Sequence, residues 1–207
     1  MSKTWDAIII GGGAAGLFCA GVAGQLGKKV LVLDHAEVLG EKIRISGGGR
    51  CNFTNLHSSP ANFLSLNPHF VKSALARYPS SQFIKLVTSH RIDYHEKHQG
   101  QLFCDDSAKQ IIEMLFAECA KGNVSIRNPV SVQAITQDGD RWAVQTNAGI
   151  EKTKSIVMAT GGLPVPAIGA TAYSLDVAKQ FGLNVVDPRP ALVPLSFTAD
   201  NFGDLSE

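Results

Sequence analysis

Two apolar runs and the glycines between them limit this chain to few folds. Asp6-Ala7-Ile8-Ile9-Ile10 leads into Gly11-Gly12-Gly13-Ala14-Ala15-Gly16, and Val30-Leu31-Val32-Leu33 follows and ends on Asp34. Uninterrupted apolar runs of this length read as strands buried on both faces, which places them in a parallel sheet. The glycines fall at G-x-G-x-x-G spacing where the first strand must turn into a helix. The acid arrives about 20 residues further on, the distance a βαβ nucleotide-binding unit requires. Gly11 permits the sharp turn, Gly13 leaves room for a pyrophosphate beside the backbone, and Gly16 lets the helix pack closely on the strand. The N–H groups of Ala14 and Ala15 point toward the phosphates at the positive end of the helix dipole. Asp34 is expected to accept hydrogen bonds from ribose hydroxyls and to repel a 2′-phosphate, which disfavours NADP as the first nucleotide.

Ala7 through Gly24 carries no charge and follows Lys3, so a signal peptide or membrane anchor competes for the same residues. Six glycines in that stretch, Asp6 at its mouth and the acid-terminated strand after it favour the nucleotide unit. The 207 residues are 44% hydrophobic and 18% charged, the balance of a soluble globular chain. Their net charge of +1 gives no electrostatic case for nucleic acid or an anionic membrane as a partner. Cys19, Cys51, Cys104 and Cys119 are widely spaced, with no C-x-x-C. That argues against a disulfide framework, a zinc site or a dithiol motif, and fits reduced thiols in the cytoplasm. Cys51 has no partner cysteine near it in the sequence and reads as a packed thiol. His95 and His98 lack a third ligand, so no metal is expected.

Residues 35–66 are glycine-rich and aperiodic, too long for an ordinary connection, and read as a functional loop. Asn67-Pro68 opens a helix to about Arg77, and a second helix runs from Ser81 to His90. Short strands are expected at Arg91–His95 and Leu102–Cys104. Ser107-Ala108-Lys109-Gln110 is a capping-box signature ahead of a helix with Ile111, Met114, Leu115 and Cys119 on one face. Strands at Val124–Arg127, Val132–Thr136, Trp142–Gln145 and Lys154–Ala159 follow, the middle two joined by the hairpin signal Gln137-Asp138-Gly139-Asp140. The last of these can lie beside the first strand as a parallel neighbour, which brings the turn Thr160-Gly161-Gly162 to the same crevice as Gly11–Gly16. A helix over Ala172–Phe181 is closed by Gly182, and the tail from Val185 is extended.

The string Gly40-Glu41-Lys42-Ile43-Arg44-Ile45-Ser46-Gly47-Gly48-Gly49-Arg50-Cys51-Asn52-Phe53-Thr54-Asn55 closely resembles the BaiN/YhiN-like family of NAD(P)/FAD-dependent oxidoreductases. The glycine fingerprint, Gly100–Ala108, Ala159–Gly162 with Gly169, and Leu192-Val193-Pro194-Leu195 resemble it too. The resemblance implies a Rossmann-like α/β FAD-binding domain of the glutathione-reductase type, a parallel sheet with a β-meander crossover. It implies FAD held by Gly11, Gly13, Ala14, Ala15, Gly16 and Asp34, with Val132 touching the adenine through its backbone. Lys42, Ser46, Gly47, Gly48, Gly49 and Arg50 would lie along the ribityl chain and flavin ring, and NAD(P)H would serve as a transient reductant. Three departures stand out. Gln101 and Cys104 interrupt a usual G-R-x-F-P, Glu41 replaces a basic residue, and residues 170–176 lack a further glycine.

Relatives of that family are about twice as long. The resemblance therefore implies an FAD-binding portion over residues 1–191 and the incomplete start of an inserted substrate domain at 192–207. The reading is a flavoprotein oxidoreductase acting on a small-molecule substrate. Its alternative is a truncated, inactive dinucleotide-binding fragment. A C-terminal half or a second copy is the expected protein partner. No catalytic acid or base is identified.

Overall fold

The computed structural model describes residues 4–190. Strand β1 (Thr4–Ile10) runs into helix α1 (Ala14–Gln25) and then strand β2 (Val30–Leu33), as the apolar pattern requires. Strand β6 (Ser125–Arg127) pairs parallel to β2, and β9 (Gly149–Met158) pairs parallel to β1 on its other side. Strands β7 (Val132–Asp138) and β8 (Arg141–Thr146) form the expected hairpin around Gly139, and β8 continues antiparallel into β9. The six-stranded order is therefore β6-β2-β1-β9-β8-β7. Strand β9 begins earlier than its apolar end suggests because one strand serves two partners. Its first residues complete the meander, while Lys152–Met158 pair with β1.

Helix α5 (Lys109–Lys121) packs against α1. The two approach so closely that a Cβ at Gly24 would meet the Gly122 carbonyl oxygen at 2.5 Å. Ile9, Leu17, Val30, Val32, Met114, and Leu115 form the dry centre between sheet and helices. Burial of side chains this large stabilises the fold by about 1.5–3 kcal/mol each.

The stretch after β2 is not a single irregular loop. It holds helix α2 (Glu41–Ile45), a tight 3-10 turn over Ser46–Gly49, and strand β3 (Asn52–Asn55). Strand β3 joins β4 (Tyr94–Glu96) and β5 (Gln101–Cys104) in a separate sheet of order β3-β5-β4. Elements of four or five residues are too short to show a period, and the β3–β5 pairing shifts register between Asn52 and Thr54. Helix α3 begins at Lys72 rather than Asn67 (Lys72–Arg77), because the Asn67 side chain accepts from the His69 N–H at 3.0 Å and turns the chain locally. Helix α4 spans Ser80–Ser89.

The capping box before α5 does not form. Ser107 Oγ accepts from Lys109 N–H at 3.2 Å, while Gln110 Oε1 is buried without a partner. Helix α6 (Tyr173–Gln180) is followed by Gly182 at φ +70°. The chain divides into two compact units, Met1–Ser174 and Leu175–Glu207. The motif Leu192–Leu195 and the proposed start of a second domain at 192–207 lie outside the described residues.

Candidate functional site

The glycine turn is crowded on one side and open on the other. Gly11 sits at φ +113°, and a Cβ there would meet the Ala159 carbonyl oxygen at 2.4 Å. At Gly16 a Cβ would lie 1.8 Å from the Gly11 carbonyl oxygen. These two glycines are required by the protein's own backbone. At Gly13, the residue preceding α1, a Cβ would meet nothing within 4 Å. No side chain caps α1, so the N–H groups of its first turn, Ala14 and Ala15 among them, have no intrahelical or side-chain capping partners.

Asp34 holds the turn in place. Its Oδ2 accepts from Gly12 N–H at 2.6 Å and its Oδ1 from Ala36 N–H at 2.8 Å. Each carboxylate oxygen retains capacity for a second donor. The backbone leading into β7 reaches the same residue, for Val130 N–H donates to the Asp34 carbonyl at 2.7 Å, two residues before Val132. His35, which sequence reasoning passed over, comes within 2.8 Å of where a Cβ on Gly169 would stand. The signal for it was its position beside Asp34.

The turn after β9 joins this site. Ala159 abuts both Gly11 and Gly16, and Lys42 Nζ donates to the Gly162 carbonyl at 3.0 Å. Lys42 thereby bridges α2 to the Thr160-Gly161-Gly162 turn, two segments 120 residues apart. Thr160 Oγ1 is buried and has no hydrogen-bond partner.

The triglycine turn follows α2 directly. Ser46 Oγ donates to the Ile43 carbonyl at 2.7 Å, and Gly49 accepts from Ala108 N–H at 2.7 Å, which ties the turn to the start of α5. Gly47, Gly48 and Gly49 all lie at positive φ, +57°, +67° and +86°. A Cβ on Gly47 would strike Phe103 at 2.6 Å, whereas one on Gly48 would meet nothing. Arg50 is exposed at the end of the turn.

Cys51 is not isolated. Cys104 N–H donates to the Arg50 carbonyl at 2.9 Å, and both thiols are buried in the same core cluster. Burial raises the Cys51 pKa, opposed by a hydrogen bond with Ser46, and burial beside Cys51 pushes Cys104 up to about 11. Thiols held this far toward the neutral form are poor nucleophiles. His95 Nδ1 pairs with Asp105 at 2.6 Å. Among the described residues no cluster of three or more His, Cys, Asp or Glu could hold a metal ion, and no helix is long and apolar enough to cross a membrane.

The open helix terminus, the acid at the end of β2 and the orphaned Thr160 hydroxyl fit a nucleotide cofactor. The architecture is a Rossmann-like FAD-binding α/β fold. The chain belongs to the HI0933-like protein Rossmann domain family, whose model matches residues 5–198. It is 51% identical over 194 residues to the ribosomal RNA dihydrouridine synthase of Escherichia coli (strain K12), covering 94% of this chain and 48% of that protein. It is 25% identical over 190 residues to the 3-dehydro-bile acid delta(4,6)-reductase of Clostridium scindens, covering 90% of this chain and 46% of that protein. The chain thus spans about half the length of the curated relatives it matches. Among solved structures, glycine oxidase from Bacillus cereus shares the fold at TM-score 0.56 and 18% identity, over 77% of this chain and 56% of that one. The amino acid oxidase NikD does so at TM-score 0.51 and 14% identity, over 87% and 55%.

Proposed function

We propose that this chain is the cofactor-holding portion of a flavin-dependent reductase that saturates a carbon–carbon double bond conjugated to a carbonyl group. FAD is the bound cofactor and NAD(P)H the reductant. The carrying observation is the space at Gly13. The positions of a Cβ on Gly11, Gly12 and Gly16 are filled by the protein, whereas the opening at Gly13 lies where helix N–H groups are unpaired.

Gly11 and Gly16 shape the turn, and Gly13, Ala14 and Ala15 present N–H groups to the diphosphate. Asp34, already fixed by two backbone donors, accepts from the adenosine ribose, with the chain near Val132 beside the adenine. Lys42, Ser46, Gly47, Gly48, Gly49 and Arg50 border the ribityl chain and ring, and Thr160, Gly161 and Gly162 close the crevice from the opposite side. The orphaned Thr160 hydroxyl gains a partner when the crevice fills. Arg50 offers a cation to negative charge building on the bound groups. FAD, when bound, supplies the hydride chemistry.

Two relatives support the acceptor class by name. Dihydrouridine is uridine with its ring double bond saturated beside a carbonyl, and a delta(4,6)-reductase removes conjugated ring double bonds. The identity of 51% against 25% favours a uracil base in RNA over a steroid as this protein's acceptor.

The test is to purify the chain with FAD, record its visible spectrum and add NADH or NADPH without oxygen. A yellow protein that bleaches is the expected result. A yellow protein that does not bleach indicates a binding fragment. A colourless protein that retains NAD rejects the flavin reading.

A further inference from the structure

We propose that the loop after β3, helix α3 and helix α4 form an RNA-docking surface that grips the sugar-phosphate backbone. The identity of the polyanion rests on the uracil reading above; the surface itself rests on charge. Between Glu41 and Asp93 the sequence carries seven Lys and Arg residues and no Asp or Glu. The net charge of +1 therefore conceals a segregation, with an acid-free cationic stretch set against an acidic remainder.

The structure shows what that segregation does. Several cations elsewhere are neutralised locally: Lys121 pairs with Glu118, Arg127 with Glu151, Lys152 with Asp138 and Lys154 with Asp6, whereas Lys28 has no such ion pair among the described residues. Lys72 and Arg77 on α3, Lys85 on α4 and Arg91 just beyond it are exposed and have no acidic partner among the described residues. Exposed cations without acidic partners, gathered in one stretch of 20 residues from Lys72 to Arg91, leave a positive potential that attracts phosphates.

The same lobe exposes large apolar groups. Leu64 is 95% exposed, Leu66 103% and Phe70 78%. Phe70 precedes Lys72 by two residues, and exposed aromatic rings together with cations are what single-stranded or looped RNA uses, phosphates on the cations and an unstacked base on the ring. An anionic membrane would also take cations and apolar groups, but it needs them on opposite faces of an amphipathic helix. Here the exposed apolar residues lie in an irregular segment, and the apolar face of α4 points inward through Val87 and Phe83. The geometry favours RNA.

The test is fluorescence anisotropy of a fluorescein-labelled, uridine-containing RNA hairpin with the whole chain, from about 50 to about 200 mM salt. Wild type should bind and weaken steeply with salt. K72E/R77E/K85E should lose at least about tenfold in affinity and show a shallower salt slope. K28E, outside the stretch, should bind like wild type. Circular dichroism checks that the lobe stays folded; if charge reversal unfolds it, K72Q/R77Q/K85Q carries the same test. Unchanged binding by a folded variant, no binding by wild type at low salt, or preference for phosphatidylglycerol vesicles over the hairpin would each overturn the inference. A chain that takes up FAD but ignores RNA sinks this surface alone. A chain that binds RNA but not FAD sinks the flavin reading and leaves the surface standing.

Discussion

The two glycine turns look alike in sequence and differ in what holds them. In Gly11–Gly16 the glycines are forced by contact: Gly11 and Gly16 have backbone within 2.4 Å and 1.8 Å of any added Cβ. In Ser46–Gly49 they are forced mainly by conformation, because Gly47, Gly48 and Gly49 all occupy the left-handed region while space around Gly48 is open. A glycine pressed by its own protein serves the fold. A glycine facing emptiness at normal φ, as Gly13 does at −86°, has no internal reason to be there and points to a ligand.

Substitutions separate these cases. Gly16→Ala should have the largest effect, a loss of about 3 kcal/mol or more in urea unfolding, since both colliding groups are backbone and neither can rotate away. Gly47→Ala should follow at about 2 kcal/mol, because it combines left-handed strain with a clash against Phe103. A stable Gly16→Ala variant would break the distinction between the turns.

Acid sharpens it differently. Glu118 braces the α1–α5 seam that supports the first turn. Burial opposes its ionisation, but hydrogen bonds from Lys121, Gln25 and His90 outweigh that and hold its pKa down to about 2. A carboxyl with a lowered folded-state pKa stabilises fully above its ordinary value of 4.5 and loses that contribution as pH falls toward 2. Thermal unfolding of wild type should therefore weaken over that interval by about 1–2 kcal/mol more than that of Glu118→Gln. Parallel curves would remove Glu118 from the account. Gly48→Ala should cost least, about 1 kcal/mol, from backbone conformation alone.

Legibility in the sequence followed the range of the interactions. Strands β1 and β2, helix α1 and the β7–β8 hairpin are set by contiguous apolar runs and turn residues, and their positions were readable. The parallel placement of β9 was readable because an apolar strand ending in glycines has few other destinations. Helix α2 and strand β3 were not, because each is too short to carry a period and β3 depends on pairing with β5 nearly fifty residues away. The proximity of Cys51 to Cys104 was hidden for the same reason. Gln110 was misread because a capping box is a local pattern, and here the side chain is drawn into a buried position instead. The cationic lobe was obscured by summing charge over the whole chain.

The central claim is that the opening at Gly13 receives the diphosphate of FAD. Titration of FAD into wild type and Gly13→Val, followed by quenching of flavin fluorescence with melting curves in parallel, tests it directly. The account predicts a folded variant of unchanged melting temperature that binds FAD at least about a hundredfold more weakly, a change of about 2.7 kcal/mol. Equal affinity in the two proteins, with both folded, would contradict it.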